Sequence, residues 1–190
     1  MNTPSHLVLN LAILRRPGPL SFTWPILLGA LAPDVALFVF YGWARWGQHL
    51  PAATIWGEAY YSQPWQDIFA LGNSIPLALV SIALGVYVHQ PALALFAASM
   101  GLHHLEDLPL HNDDAHRHFW PFSDRRIISP VSYWDVNHHG LVGASLELGL
   151  VLIASVYLWR RLDSRVSRAI LGLTTLGMLA GYWGLSNTVY

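Results

Sequence analysis

A chain of 190 residues that is 54% hydrophobic and 11% charged has too little charge to clothe a soluble domain, where roughly a quarter of residues are charged. Its net charge of −1 and the lack of any basic run interleaved with aromatics leave no sign of a nucleic-acid partner. Cysteine is absent, which excludes disulfides, thiolate metal ligands and a cysteine nucleophile. The expected class is all-α: one polytopic membrane bundle over residues 1–190, with the lipid bilayer as its main partner. Nine Trp and eight Tyr suit side chains seated at the membrane–water interface.

Met1–Ser5 carries no side-chain cation and no small-residue cleavage site follows an apolar run, so a mature N-terminus is expected. The first predicted helix is His6–Leu14, started by Thr3-Pro4-Ser5 and stopped by Arg15-Arg16-Pro17-Gly18-Pro19. At about 1.5 Å per residue it is too short to cross a core about 30 Å thick. The second segment, Leu20–Trp43, is long enough and contains Pro25, Pro33 and Asp34. Residues 44–72 are mixed and aromatic, an interfacial loop with some helix. Ile75–Val88 is nearly all apolar and ends in the turn His89-Gln90-Pro91. Ala92–Leu108 is apolar until His103, and a polar stretch, Pro109–His139, follows. Leu141–Trp159 is apolar except for Glu147, Arg160–Arg168 is a basic loop, and Ala169–Leu185 is the last apolar segment. The expectation is four or five spanning helices plus the short first one.

Arginine sets the orientation. Arg15 and Arg16 lie between the first two segments; Arg160, Arg161, Arg165 and Arg168 lie between the last two. In an antiparallel bundle these share a side, which the positive-inside rule makes cytoplasmic. Residues 44–72 and 109–139 then face outward.

Seven of the ten His fall between residues 103 and 139, among several acids. His103 and Asp107 are four apart and share a helix face; His104 and Asp107, three apart, are also neighbours. Pro109 should end that helix, leaving His111, His116 and His118 on a loop able to fold back over it. Neutral imidazole and carboxylate are ligands for zinc and related divalent metals. Asp34 and Glu147 stand in apolar segments, where a charge costs several kcal/mol unless paired or functional. His6 lies at the outer end of the first segment and His139 at the outer start of the fifth. The candidate metal ligands are therefore His6, Asp34, His103 or His104, Asp107, His111 and His116. His139 or Glu147 is a further ligand or the general base. Plainer roles stand beside these. His138-His139 can simply mark a helix start, Glu147 can bond a neighbouring helix, and Arg117, Arg125 and Arg126 can hold a phosphate or balance nearby acids.

Thr3-Pro4-Ser5-His6, Gly29-Ala30-Leu31-Ala32-Pro33-Asp34, His104-Leu105-Glu106-Asp107, and Pro121 with Arg125-Arg126 resemble the predicted membrane-bound metal-dependent hydrolases. Some of that family are placed under LexA control. The chain departs from the family pattern at Ala36 and Leu37, where members often carry an acid and a His, and at Asn73-Ser74, where a His-Ser pair is common. More remotely, the order of an early His, an Asp, a His-x-x-x-Asp and a later His and Glu is similar to zinc-dependent phospholipases C. The resemblance implies a hydrolase in the bacterial inner membrane, its site on the periplasmic face, acting on an amphiphilic or phosphoester substrate. Two rivals come from other classes. A metal or proton transporter needs polar groups through the whole membrane depth, and here the cytoplasmic half is nearly all apolar. A structural or haem-binding membrane protein needs axial ligands but no surrounding carboxylates.

Overall fold

The computed structural model describes residues 1–16 and 22–189, the last seven of them by backbone alone. The expected breaker Pro17-Gly18-Pro19 and the expected helix start at Leu20 lie outside the described residues. The described residues are helical, with no strand. In order they form α1 (Thr3–Leu14), α2 (Thr23–Gly42), the short α3 (Ala52–Thr54), α4 (Gln63–Gly72), α5 (Ile75–Tyr87), α6 (Pro91–Asp107), α7 (Gly140–Trp159) and α8 (Arg165–Val189). Proline stands at the first or second position of α1, α4, α5 and α6, where its missing N–H costs nothing. Ser74 caps α5 by accepting from the Leu77 amide at 3.2 Å.

Among the described residues, three stretches are long and apolar enough to cross a membrane: Thr23–Gly47, Gln63–Tyr87 and Gly140–Trp159. The outer surface is apolar to match. Leu28, Phe38, Leu79, Val80, Leu146, Ile153 and Leu173 are each more than half exposed. In water so much apolar surface would drive aggregation; against lipid tails it carries no penalty. The interior holds polar side chains beside its apolar clusters. Ser5, His6, Asn10, Ser99, His103, Asp107 and Glu147 are all buried. Residues 44–72 are more ordered than a loop. Two π-helical turns, Trp43–Gly47 and Ile55–Ala59, lead into α4, and Trp56, Tyr60, Trp65 and Phe69 pack edge-on around Phe40.

Helix α1 lies inside the bundle, against α2, α6 and α7. Its twelve residues reach only about 18 Å at ~1.5 Å each, so it ends within the bundle. Asn10 donates to the Ser99 carbonyl and hydroxyl oxygens, both at 2.8 Å, and Ser99 donates on to the Ile26 carbonyl at 2.6 Å. That chain ties α1, α6 and α2 together. The α2–α6 crossing is close because Gly29 has no side chain; a Cβ there would fall 2.2 Å from the Phe96 carbonyl oxygen. At the basic end, Arg15 donates to the Arg161 carbonyl at 3.3 Å, so the two Arg-rich segments share one end of the bundle.

The polar stretch after α6 folds back at the opposite end. The Ile75 amide donates to the His118 carbonyl at 2.9 Å, and the Ser129 amide to the His111 carbonyl at 2.9 Å. Arg117, itself buried, reaches Asp67 of α4 at 2.5 Å and Asp124 at 2.8 Å. Arg126 donates to Gln66 at 2.7 Å. Of the two roles open to Arg117, this is the balancing one.

Candidate metal centre

The site is built around the last turn of α6. Four residues make just over one helical turn, and His103 Nε2 accordingly lies 3.1 Å from Asp107 Oδ2. Helix α1 brings His6 Nε2 to 3.1 Å from Asp107 Oδ1, and the folded-back loop brings His111 Nε2 to 3.2 Å from the same oxygen. The Met1 nitrogen is drawn to this point too, 2.5 Å from Asp107 Oδ1 and 3.1 Å from His111 Nε2. His6 and His103 are fully buried and stack face to face, centroids 3.6 Å apart.

The outer nitrogens of these rings decide what the inner ones can do. His103 Nδ1 lies 2.7 Å from the Ala30 carbonyl. A carbonyl only accepts, so the proton is on Nδ1 and the lone pair is on Nε2. Glu106 Oε2 stands in the same relation to His6 Nδ1 at 2.7 Å. Neither Nε2 has a hydrogen-bond partner, because the 3.1 Å approaches to Asp107 lack hydrogen-bond geometry. Two buried, unpartnered ring nitrogens beside a buried carboxylate are costly unless a further group completes them. Outer partners that orient the ligand imidazoles are the usual support of a metal site. The donor set therefore fits a divalent ion. Suitably placed ligand atoms come together in two groups, His6 with His103 and Asp107, and Asp107 with His111 and His116, each within 4.8 Å.

The loop adds its own electrostatics. His111 Nδ1 lies 2.9 Å from Asp114 Oδ2. Burial disfavours the charged form of His111, but Asp107 outweighs it and raises the imidazole above its ordinary range. Burial, then the neighbouring His111, hold His116 well below that range, so its lone pair is free to bind. Burial pushes Asp114 up, yet His111 keeps it below the ordinary carboxylate range.

Asp34 borders the cluster: Oδ1 is 3.7 Å from His103 Nε2, and Oδ2 accepts from the Thr3 hydroxyl at 2.5 Å. The choice left open between His103 and His104 falls to His103. His104 is buried but turns away, its Nε2 donating to the Gly72 carbonyl of α4 at 3.0 Å. His139 is exposed, at the N-cap of α7 with φ 57°, and joins neither ligand group. Glu147 is buried on α7, where it accepts from the Asn2 amide at 2.8 Å and from the Ser5 hydroxyl. It anchors the start of α1 and is in neither group. Sequence reasoning assigned no site role to Glu106 and Asp114; Asp114 stands three residues after His111, the ring it approaches, whereas Glu106 meets His6 of a distant segment and no local spacing marks it.

A cavity of about 500 Å³ opens beside the cluster. Its lining mixes Asp34, Asp107, His111 and His116 with Leu37, Phe38, Trp56 and Tyr60. Comparison of the chain with protein-family models, curated proteins and solved structures gives no match.

Proposed function

We propose that this chain is a membrane-embedded, metal-dependent hydrolase that holds zinc or a related divalent ion and acts on an amphiphilic phosphoester. The observation that carries this reading is the pair of buried, unpartnered Nε2 atoms of His6 and His103 facing Asp107, which itself lines an accessible cavity. A purely structural ion needs no such cavity. The mixed lining of the cavity, acidic and imidazole-bearing side chains with apolar ones, suits a substrate with a polar head and a hydrocarbon part.

An ion held by His6, His103 and Asp107 would supply Lewis acidity toward an ester oxygen and would acidify water. The chain's own residues do the rest. Glu106 and the Ala30 carbonyl hold the imidazoles in the tautomer that presents Nε2. The Thr3 hydroxyl fixes one oxygen of Asp34, leaving the other beside the cluster to take a proton from the attacking water. Leu37, Phe38 and Trp56 shield the acyl or alkyl part from water. With the Arg15–Arg161 end on the cytoplasmic side, the site opens at the periplasmic face of a bacterial inner membrane.

The test is hydrolysis by purified protein in lipid nanodiscs, supplied with zinc or manganese and offered phospholipids and a chromogenic phosphodiester. The expected result is metal-dependent turnover that falls at least about 100-fold in Asp34→Asn, with metal content unchanged. Metal-loaded wild type that cleaves no phosphoester overturns the proposal.

A further inference from the structure

We propose that the centre is binuclear, with Asp107 as a bridging carboxylate between two divalent ions. This rests on the reading of the site as a metal centre, but not on hydrolysis. Asp107 is the one residue common to the two ligand groups. Helices α1 and α6 supply His6 and His103 to the first; the loop after α6 supplies His111 and His116 to the second. Oδ1 of Asp107 is the atom that meets both groups, 3.1 Å from His6 and 3.2 Å from His111, while Oδ2 lies 3.1 Å from His103.

One ion does not use this donor set. Ligands on one zinc lie about 2.0–2.2 Å from it, so they stand within roughly 4.4 Å of one another, and four imidazoles from two separate groups exceed that. Two ions sharing a carboxylate, ~3.5–4 Å apart in sites of this kind, place each pair of imidazoles on its own metal. An acid stands near the outer nitrogen in each half: Glu106 is hydrogen-bonded to His6 Nδ1 at 2.7 Å, and Asp114 approaches His111 Nδ1 at 2.9 Å without hydrogen-bond geometry.

Charge points the same way. Asp34, Asp107, Asp113 and Asp114 line the cavity, with the Met1 ammonium, 2.5 Å from Asp107, among them. Such excess negative charge in a partly buried, low-dielectric site is unfavourable without cations.

The experiment counts ions. Purified protein is stripped with chelator, reloaded with Mn(II), freed of excess by gel filtration and analysed by elemental analysis and electron paramagnetic resonance. Wild type is expected to hold two ions per chain and to give the spectrum of an exchange-coupled Mn(II) pair, which isolated ions do not give. His116→Ala is expected to keep one ion and lose the coupling, and His103→Ala likewise. His139→Ala, away from both groups, is expected to keep two coupled ions. One ion per chain at saturation with an uncoupled spectrum, the Met1 nitrogen holding the second place, overturns the proposal. So does an unchanged ion count in His116→Ala. The wild-type spectrum decides the matter even where a variant fails to fold. Two coupled ions without turnover leave the binuclear centre standing and remove the hydrolase reading; turnover with one ion does the reverse.

Discussion

The His103 side chain carries two separate instructions, one on each ring nitrogen. Nδ1 is used up by a carbonyl and Nε2 is left bare in the interior. His6 repeats the arrangement with Glu106, so Glu106 acts on a metal only through the ring it orients. Loss of an outer partner of this kind costs about 10–100-fold in metal affinity. Glu106→Ala should therefore weaken zinc binding by about that factor, measured by competition with a chromogenic chelator. Affinity equal to wild type would show that His6 needs no partner. At this scale the spacing from His103 to Asp107 was readable in advance, since four residues return the helix to one face. The preference for His103 over His104 was not. Both are within one turn of Asp107, and what separates them is that His104 faces the Gly72 carbonyl on α4. Glu147 is a similar case. A buried acid in an apolar segment is a fair candidate for function, but here it holds the Asn2 amide and the Ser5 hydroxyl.

Among elements, the crossing of α2 with α6 matters most, because it places Asp34 and Ala30 beside His103. Its closeness depends on Gly29 meeting the Phe96 backbone. Backbone cannot swing aside as a side chain can, so even one methyl group must push the helices apart. Gly29→Ala is expected to cost about 1–3 kcal/mol, read as a lower midpoint of thermal unfolding in detergent. An unchanged midpoint would mean the crossing is looser than 2.2 Å implies. Helix positions were largely legible: Ala92–Leu108 and Leu141–Trp159 correspond to α6 and α7 within a residue. Long apolar runs bounded by Pro or polar residues leave little choice. The order within residues 44–72 was not legible. Its short turns are held by the aromatic packing around Phe40, a contact between distant parts of the chain.

For the whole molecule, the Arg15–Arg161 contact puts the basic segments at one end and the His-rich loop at the other. A reporter fused within residues 160–164 should be active only in its cytoplasmic form, and one within residues 122–126 only in its exported form; the reverse result would invert the site to the cytoplasm. The chain should also resist extraction from membranes by alkaline carbonate, since three of its helices are long and apolar enough to span. Composition and apolar run length alone determined that this is an all-α membrane protein, because a bilayer demands long helices with internally satisfied backbones. They also confined the chemistry to a His- and Asp-bearing region around the end of α6. Only the tertiary structure decided which of those residues meet. His6, His103, Asp107, His111 and His116 come from two helices and a loop, and Asp34 from a third helix at their edge. A ligand set is a matter of distances of a few ångströms between segments far apart in sequence, and no local pattern of spacing encodes that.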